Sequence, residues 1–69
     1  MSTIRWSAHA GPGRDTTGTA ESVDAALVAA RAAYRDGVVR VYEDDVEVIV
    51  EESVLDDGTG LASWQRVVR

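Results

Sequence analysis

Only one histidine, no cysteine and twelve carboxylates are available to do chemistry in this chain. A catalytic imidazole needs a nucleophile on one nitrogen and an orienting acid on the other. No serine or carboxylate flanks His9 in that order, so it is expected to be a strand residue facing water. Without cysteine there is no disulfide, zinc–thiolate site or redox motif. Asp56-Asp57-Gly58 lacks the alternating oxygen ligands of a calcium loop. No carboxylate–histidine cluster stands elsewhere, so neither a metal nor a cofactor is expected. The serines and threonines fall in turns and caps, where their hydroxyls satisfy backbone groups. No catalytic residue is assigned, and the chain is expected not to be an enzyme.

One segment has the composition of an anion cradle. Gly11-Pro12-Gly13-Arg14-Asp15-Thr16-Thr17-Gly18-Thr19 follows a strand and precedes a helix, the usual place of a phosphate loop. A nucleotide loop of the Walker type would end in Gly-Lys-Ser/Thr, and the chain has no lysine. The glycine spacing also misses the dinucleotide fingerprint. What is left is a weak anion site from Gly13 and the Arg14 guanidinium, set in a loop spanning 10–20.

The acids are unevenly placed. Glu43, Asp44, Asp45, Glu47, Glu51, Glu52, Asp56 and Asp57 lie in fifteen residues without one base. The rest of the chain holds four acids against seven arginines, and the net charge is −5. Such a run is a solvated hairpin edge or a contact surface for a basic partner. Direct nucleic-acid binding is disfavoured, because it needs several cations on one surface.

These residues must be positioned by a small set of elements. At 69 residues, 45% of them hydrophobic, the chain supports one core and one domain, 1–69. Ile4, Trp6 and Ala8 alternate with polar residues, which predicts a half-buried strand. Ser22 is a helix N-cap with Asp24 in the first turn. Val23, Ala26, Leu27, Ala30 and Tyr34 form one apolar stripe of a helix running to Asp36, with Gly37 as its C-terminal cap.

A hairpin follows about Asp44-Asp45. A two-residue turn pairs Glu43 with Val46, Tyr42 with Glu47, Val41 with Val48, Arg40 with Ile49 and Val39 with Val50. That register gives the helix an all-valine face and leaves Arg40, Tyr42, Glu47, Ile49 and Glu51 on an open face. Asp56 to Gly60 is a turn, and Leu61 to Val68 a last strand with Trp64 on its buried side. The expected fold is α+β: one helix on an antiparallel or mixed sheet of three or four strands, in the order β-α-β-β with a C-terminal strand.

The open face carries the functional expectation. Tyr and Arg are enriched at protein contacts, and an apolar centre with a charged rim is typical of them. The chain is therefore expected to be a small acidic protein-interaction module using Arg40, Tyr42, Glu47, Ile49 and Glu51. A homodimer through the same face and an anion binder through Gly13 and Arg14 are the alternatives. No apolar run is long enough for a membrane span, and the first residues lack a leader pattern, so a cytoplasmic location is expected.

The helix from Ser22 to Gly37 and the segment Val39-Arg40-Val41-Tyr42-Glu43-Asp44 resemble small βαββ proteins of unknown function from actinobacteria and their phages. The absence of Lys, Asn and Phe is the bias of a GC-rich genome and agrees with such a source. The resemblance implies an Ala-rich helix on a short antiparallel sheet and no activity, and it transfers no functional residue. That the interaction module is phage-encoded and acts on a host protein is a separate expectation.

Overall fold

A computed structural model describes residues 3–34, 36–55 and 58–67. Arg35, Asp56, Asp57 and Val68, which figure in the expectations above, lie outside the described residues. The elements are β1 (Ile4–His9), β2 (Asp15–Ala20), α1 (Val23–Ala33), β3 (Val38–Glu43), β4 (Val46–Leu55) and β5 (Ala62–Arg66). All five strands form one antiparallel sheet in the order β2-β1-β3-β4-β5. The α+β architecture is as expected, with five strands rather than three or four.

The added strand is β2, in the segment expected to be a loop. Gly11, Pro12 and Gly13 turn the chain, and the Ala10 amide donates to the Arg14 carbonyl at 2.9 Å to close the hairpin. Beyond the turn, Asp15 to Ala20 pairs residue by residue with β1. Its threonines suit a pleated surface, and Gly18 has a packing reason to be there. A Cβ at Gly18 would stand 2.5 Å from the Trp6 ring, so the ring lies on the strand where a side chain would otherwise be.

The helix begins as its sequence dictates. The Ala25 amide donates to the Ser22 hydroxyl at 3.1 Å, and Asp24 occupies the first turn. It ends at Ala33, three residues short of the expected Asp36. Tyr34 is already extended and packs against the core. Gly37 does take a positive φ of 96°, but for a different reason. It passes the end of β1 so closely that a Cβ would lie 2.1 Å from the His9 carbonyl oxygen.

The width of one helix decides the rest. A helix is about 10 Å across and strands are spaced about 4.8 Å apart, so one helix covers two or three strands. α1 packs on β1, β2 and β3, and its backbone lies over neither β4 nor β5; only the Arg31 side chain extends to β4. The core lies in that covered half: Ile4, Ala8, Val39 and Val41 from the sheet against Ala26, Leu27 and Ala30 from the helix. The alanines let the helix sit close. Ile49 and Trp64 pack against the edge of this core from the uncovered strands.

The β3–β4 register holds for two pairs and then slips. Asp44 and Asp45 take φ of 51° and 68°, the left-handed pair of a two-residue hairpin turn. Glu43 pairs with Val46 and Tyr42 with Glu47, as expected. A bulge at Val41/Tyr42 then inserts Val48, so Val41 meets Ile49, Arg40 meets Val50 and Val39 meets Glu51. One extra residue exchanges the two faces of every later position. The helix side therefore receives Ile49 and Glu51 in place of Val48 and Val50. The exchange places a larger side chain on the core and sets Glu51 within reach of the helix.

Candidate functional site

The face turned away from the helix can be laid out from the pairing. One row crosses it as Thr19, Arg5, Tyr42 and Glu47; the next as Thr17, Ser7, Arg40 and Val50; the third as Asp15, His9, Val38 and Glu52. The first two rows enclose a hollow of about 400 Å³, lined by Arg5, Ser7, Thr17, Thr19 and Tyr42, with Trp6 and Gly18 between them. No second layer covers this face among the described residues.

Cross-strand charges fix the rim. Arg5 Nη2 donates to Asp45 Oδ1 at 2.5 Å, and Arg40 Nε lies 3.7 Å from Glu47 Oε2. The Thr3 amide donates to Asp44 Oδ1 at 2.9 Å. Thus the acidic run is answered in space by arginines from other strands. All five described arginines, at 5, 14, 31, 40 and 66, are ion-paired. The exposed pairs contribute little to stability, about 0–1 kcal/mol each, but they hold side chains in place around the hollow.

His9 has the carboxylate that its neighbours in sequence do not supply. Asp15, its direct partner across the hairpin, hydrogen-bonds His9 Nδ1. Both side chains are exposed, and none of the hydrogen bonds found at His9 reaches a nucleophile. The pairing orients the ring and ties the last pair before the β1–β2 turn. Among the described residues no group of three His, Cys, Asp or Glu side chains is placed to hold a metal.

The chain matches no protein-family model, no curated protein and no solved structure. Among the described residues no helix is long and apolar enough to cross a membrane.

The bulge divides the five expected contact residues. Arg40, Tyr42 and Glu47 lie on the open face. Ile49 and Glu51 do not; the slip turns both to the helix side. Glu51 is 3% exposed and fully partnered. Arg31 of α1 donates through Nε at 2.8 Å and Nη2 at 2.5 Å to Oε1, and Arg66 of β5 donates through Nε at 3.2 Å to Oε2. This carboxylate joins three elements and faces no partner. A Glu51→Arg reversal would place a third guanidinium between two others, so it tests the fold rather than a contact.

The anion cradle loses its premise as well. Gly13 and Arg14 turn one antiparallel strand into another and do not lead into the helix, whose N-terminus is at Ser22. Arg14 donates to both Asp36 carboxylate oxygens, at 2.9 and 3.4 Å, and to the Ala10 carbonyl at 3.3 Å. Its guanidinium also lies 5.1 Å from the centre of the Tyr34 ring, within cation–π range. It works as a brace between the first hairpin and the chain leaving the helix.

Proposed function

We propose that the chain is a non-enzymatic protein-interaction module whose contact surface is the open sheet face around Tyr42. The observation that carries this reading is the hollow between Arg5, Ser7, Thr17, Thr19 and Tyr42 on a face with no covering layer. Antiparallel sheets commonly leave one face to water. A flat solvated face would lack a depression that holds an aromatic ring beside a fixed guanidinium. Tyrosine loses little conformational freedom on binding, Arg5 is already held by Asp45, and both residue types anchor many interfaces. Thr17 and Thr19 supply hydroxyls around them, and Arg40 and Glu47 a charged rim. The fitting partner is a protein surface with one projecting polar side chain.

Tyr42→Ala and Arg5→Glu test the assignment, because both side chains point away from the core. A protein bound by the parent chain should bind either variant roughly tenfold more weakly or worse, as expected for an anchor residue. Circular dichroism should be unchanged. Equal binding of that protein by parent and variants, measured by calorimetry, would remove the open face from consideration.

A further inference from the structure

The hollow is not the only unfilled surface. β5 is an edge strand, and the helix does not extend over it. Besides Val28 on α1 and Val46 at the β3–β4 turn, the exposed large apolar side chains among the described residues are on or near β5. Leu61 and Val67 flank β5 at 70% and 38% exposure, and Val48 at the bulge is 46% exposed. Edge strands are usually blunted by lysine, proline or an inward charge. β5 has neither lysine nor proline, and its Arg66 is drawn back onto Glu51.

The ladder shows which backbone groups are free. The Val67 amide donates to the Val50 carbonyl at 2.8 Å. Bonded residues alternate along an antiparallel pair, so Gln65 and Ser63 also bond toward β4. Ala62, Trp64 and Arg66 then direct their amides and carbonyls outward. We propose that these groups pair with the β5 strand of a second copy of this chain, antiparallel about a twofold axis at Trp64.

That register is selected by the side chains. It sets Leu61 of one copy beside Val67 of the other, so the two exposed apolar residues cover each other at both ends of the contact. Arg66 meets Ala62, Ser63 meets Gln65, and Trp64 meets its own counterpart, with no like charges opposed. Moving the axis to residue 63 or 65 separates Leu61 from Val67 and shortens the overlap. The contact is isologous, as a twofold dimer requires. The opposite edge offers less. β2 is covered by α1 and has no exposed large apolar residue. The paired sheets form a continuous ten-stranded surface, with one helix toward each end and the open faces of both copies left available.

The lack of cysteine makes the register directly testable. Ser63 and Gln65 are exposed and fall in a non-hydrogen-bonded pair across the axis, where Cα atoms lie about 4.5 Å apart, within disulfide reach. Ser63→Cys mixed with Gln65→Cys should form a disulfide-linked dimer on oxidation, while neither variant alone should. Sedimentation should show the parent chain passing from monomer to dimer between micromolar and millimolar concentration. Ala62→Pro removes one outward amide per copy and leaves the β4 ladder intact, so it should weaken the dimer roughly thirtyfold. Leu61→Lys, which lies outside the strand, should weaken it without touching any backbone bond. A parent chain that stays monomeric throughout would overturn the proposal. So would cross-linking of either cysteine variant with itself, or a dimer indifferent to both substitutions.

Discussion

Under α1, the strands β2, β1 and β3 bury Ile4, Ala8, Val39 and Val41 against Ala26, Leu27 and Ala30. Beyond it, no helix lies over β4 or β5, and Val50 is the buried apolar residue they hold. They are held by their ladder, by the edge contacts of Ile49 and Trp64, and by the Glu51 clamp. The two halves use similar strand residues and differ in what lies above them. A small domain with one short helix can complete only one core. The strands beyond it must rely on polar contacts reaching back to the helix or on surface supplied from outside.

The sharpest test of this contrast uses one substitution in both halves. Leu27→Ala empties a buried site and should cost about 3 kcal/mol, enough to leave so small a domain largely unfolded. Leu61→Ala should change stability by no more than about 0.5 kcal/mol at low protein concentration. Urea titration followed by circular dichroism reads both. Comparable losses would mean that the uncovered strands are packed after all.

The next test concerns the clamp that ties the halves together. Arg31→Met removes the two shortest donors to a buried carboxylate and should cost about 2 kcal/mol. Arg66→Met removes one longer bond from a more exposed guanidinium and should cost less than about 1 kcal/mol. Equal losses in urea titration would show that β5, and not the helix, anchors Glu51.

The smallest effect is expected at the turn between β3 and β4. Both aspartates sit at positive φ, where a Cβ costs about 1 kcal/mol. Asp45→Gly relieves that strain and gives up only an exposed pair with Arg5, for a net gain of about 0.5 kcal/mol. A lower urea midpoint would mean that the Arg5–Asp45 pair contributes more than its exposure suggests.

The parts of the fold that were legible in the sequence had local causes. Ser22 and Asp24 announce the helix start, and Asp44-Asp45 announces the turn and its first two pairs. The alternation through Ile4, Trp6 and Ala8 gives β1, and Trp64 marks the inner side of β5. What escaped depends on groups distant in sequence. Gly18 looks like a loop residue until the Trp6 ring is placed on it. Gly37 looks like a helix cap until the His9 carbonyl is placed beside it. The bulge has no glycine or proline to mark it. Its outcome, Ile49 on the core and Glu51 between Arg31 and Arg66, involves residues whose positions are fixed by tertiary packing. The site was legible to the same degree. Tyr42 and Glu47 lie in the second pair from the turn, before the slip, and Arg40 is on β3, which carries no extra residue, so all three keep their face; Ile49 and Glu51 lie past the slip on the bulged β4. Arg5, Ser7, Thr17 and Thr19 join them only through β1 and an unrecognised β2.

The placement of the two tryptophans, the only ones in the chain, gives each half its own optical reporter. Trp6 rests on Gly18 under the covered half, and Trp64 sits on the uncovered edge. Their emission depends on how wet the indole is, and Trp6→Phe or Trp64→Phe leaves a single emitter. The order in which the covered and uncovered strands come apart can therefore be followed by fluorescence, without any added label.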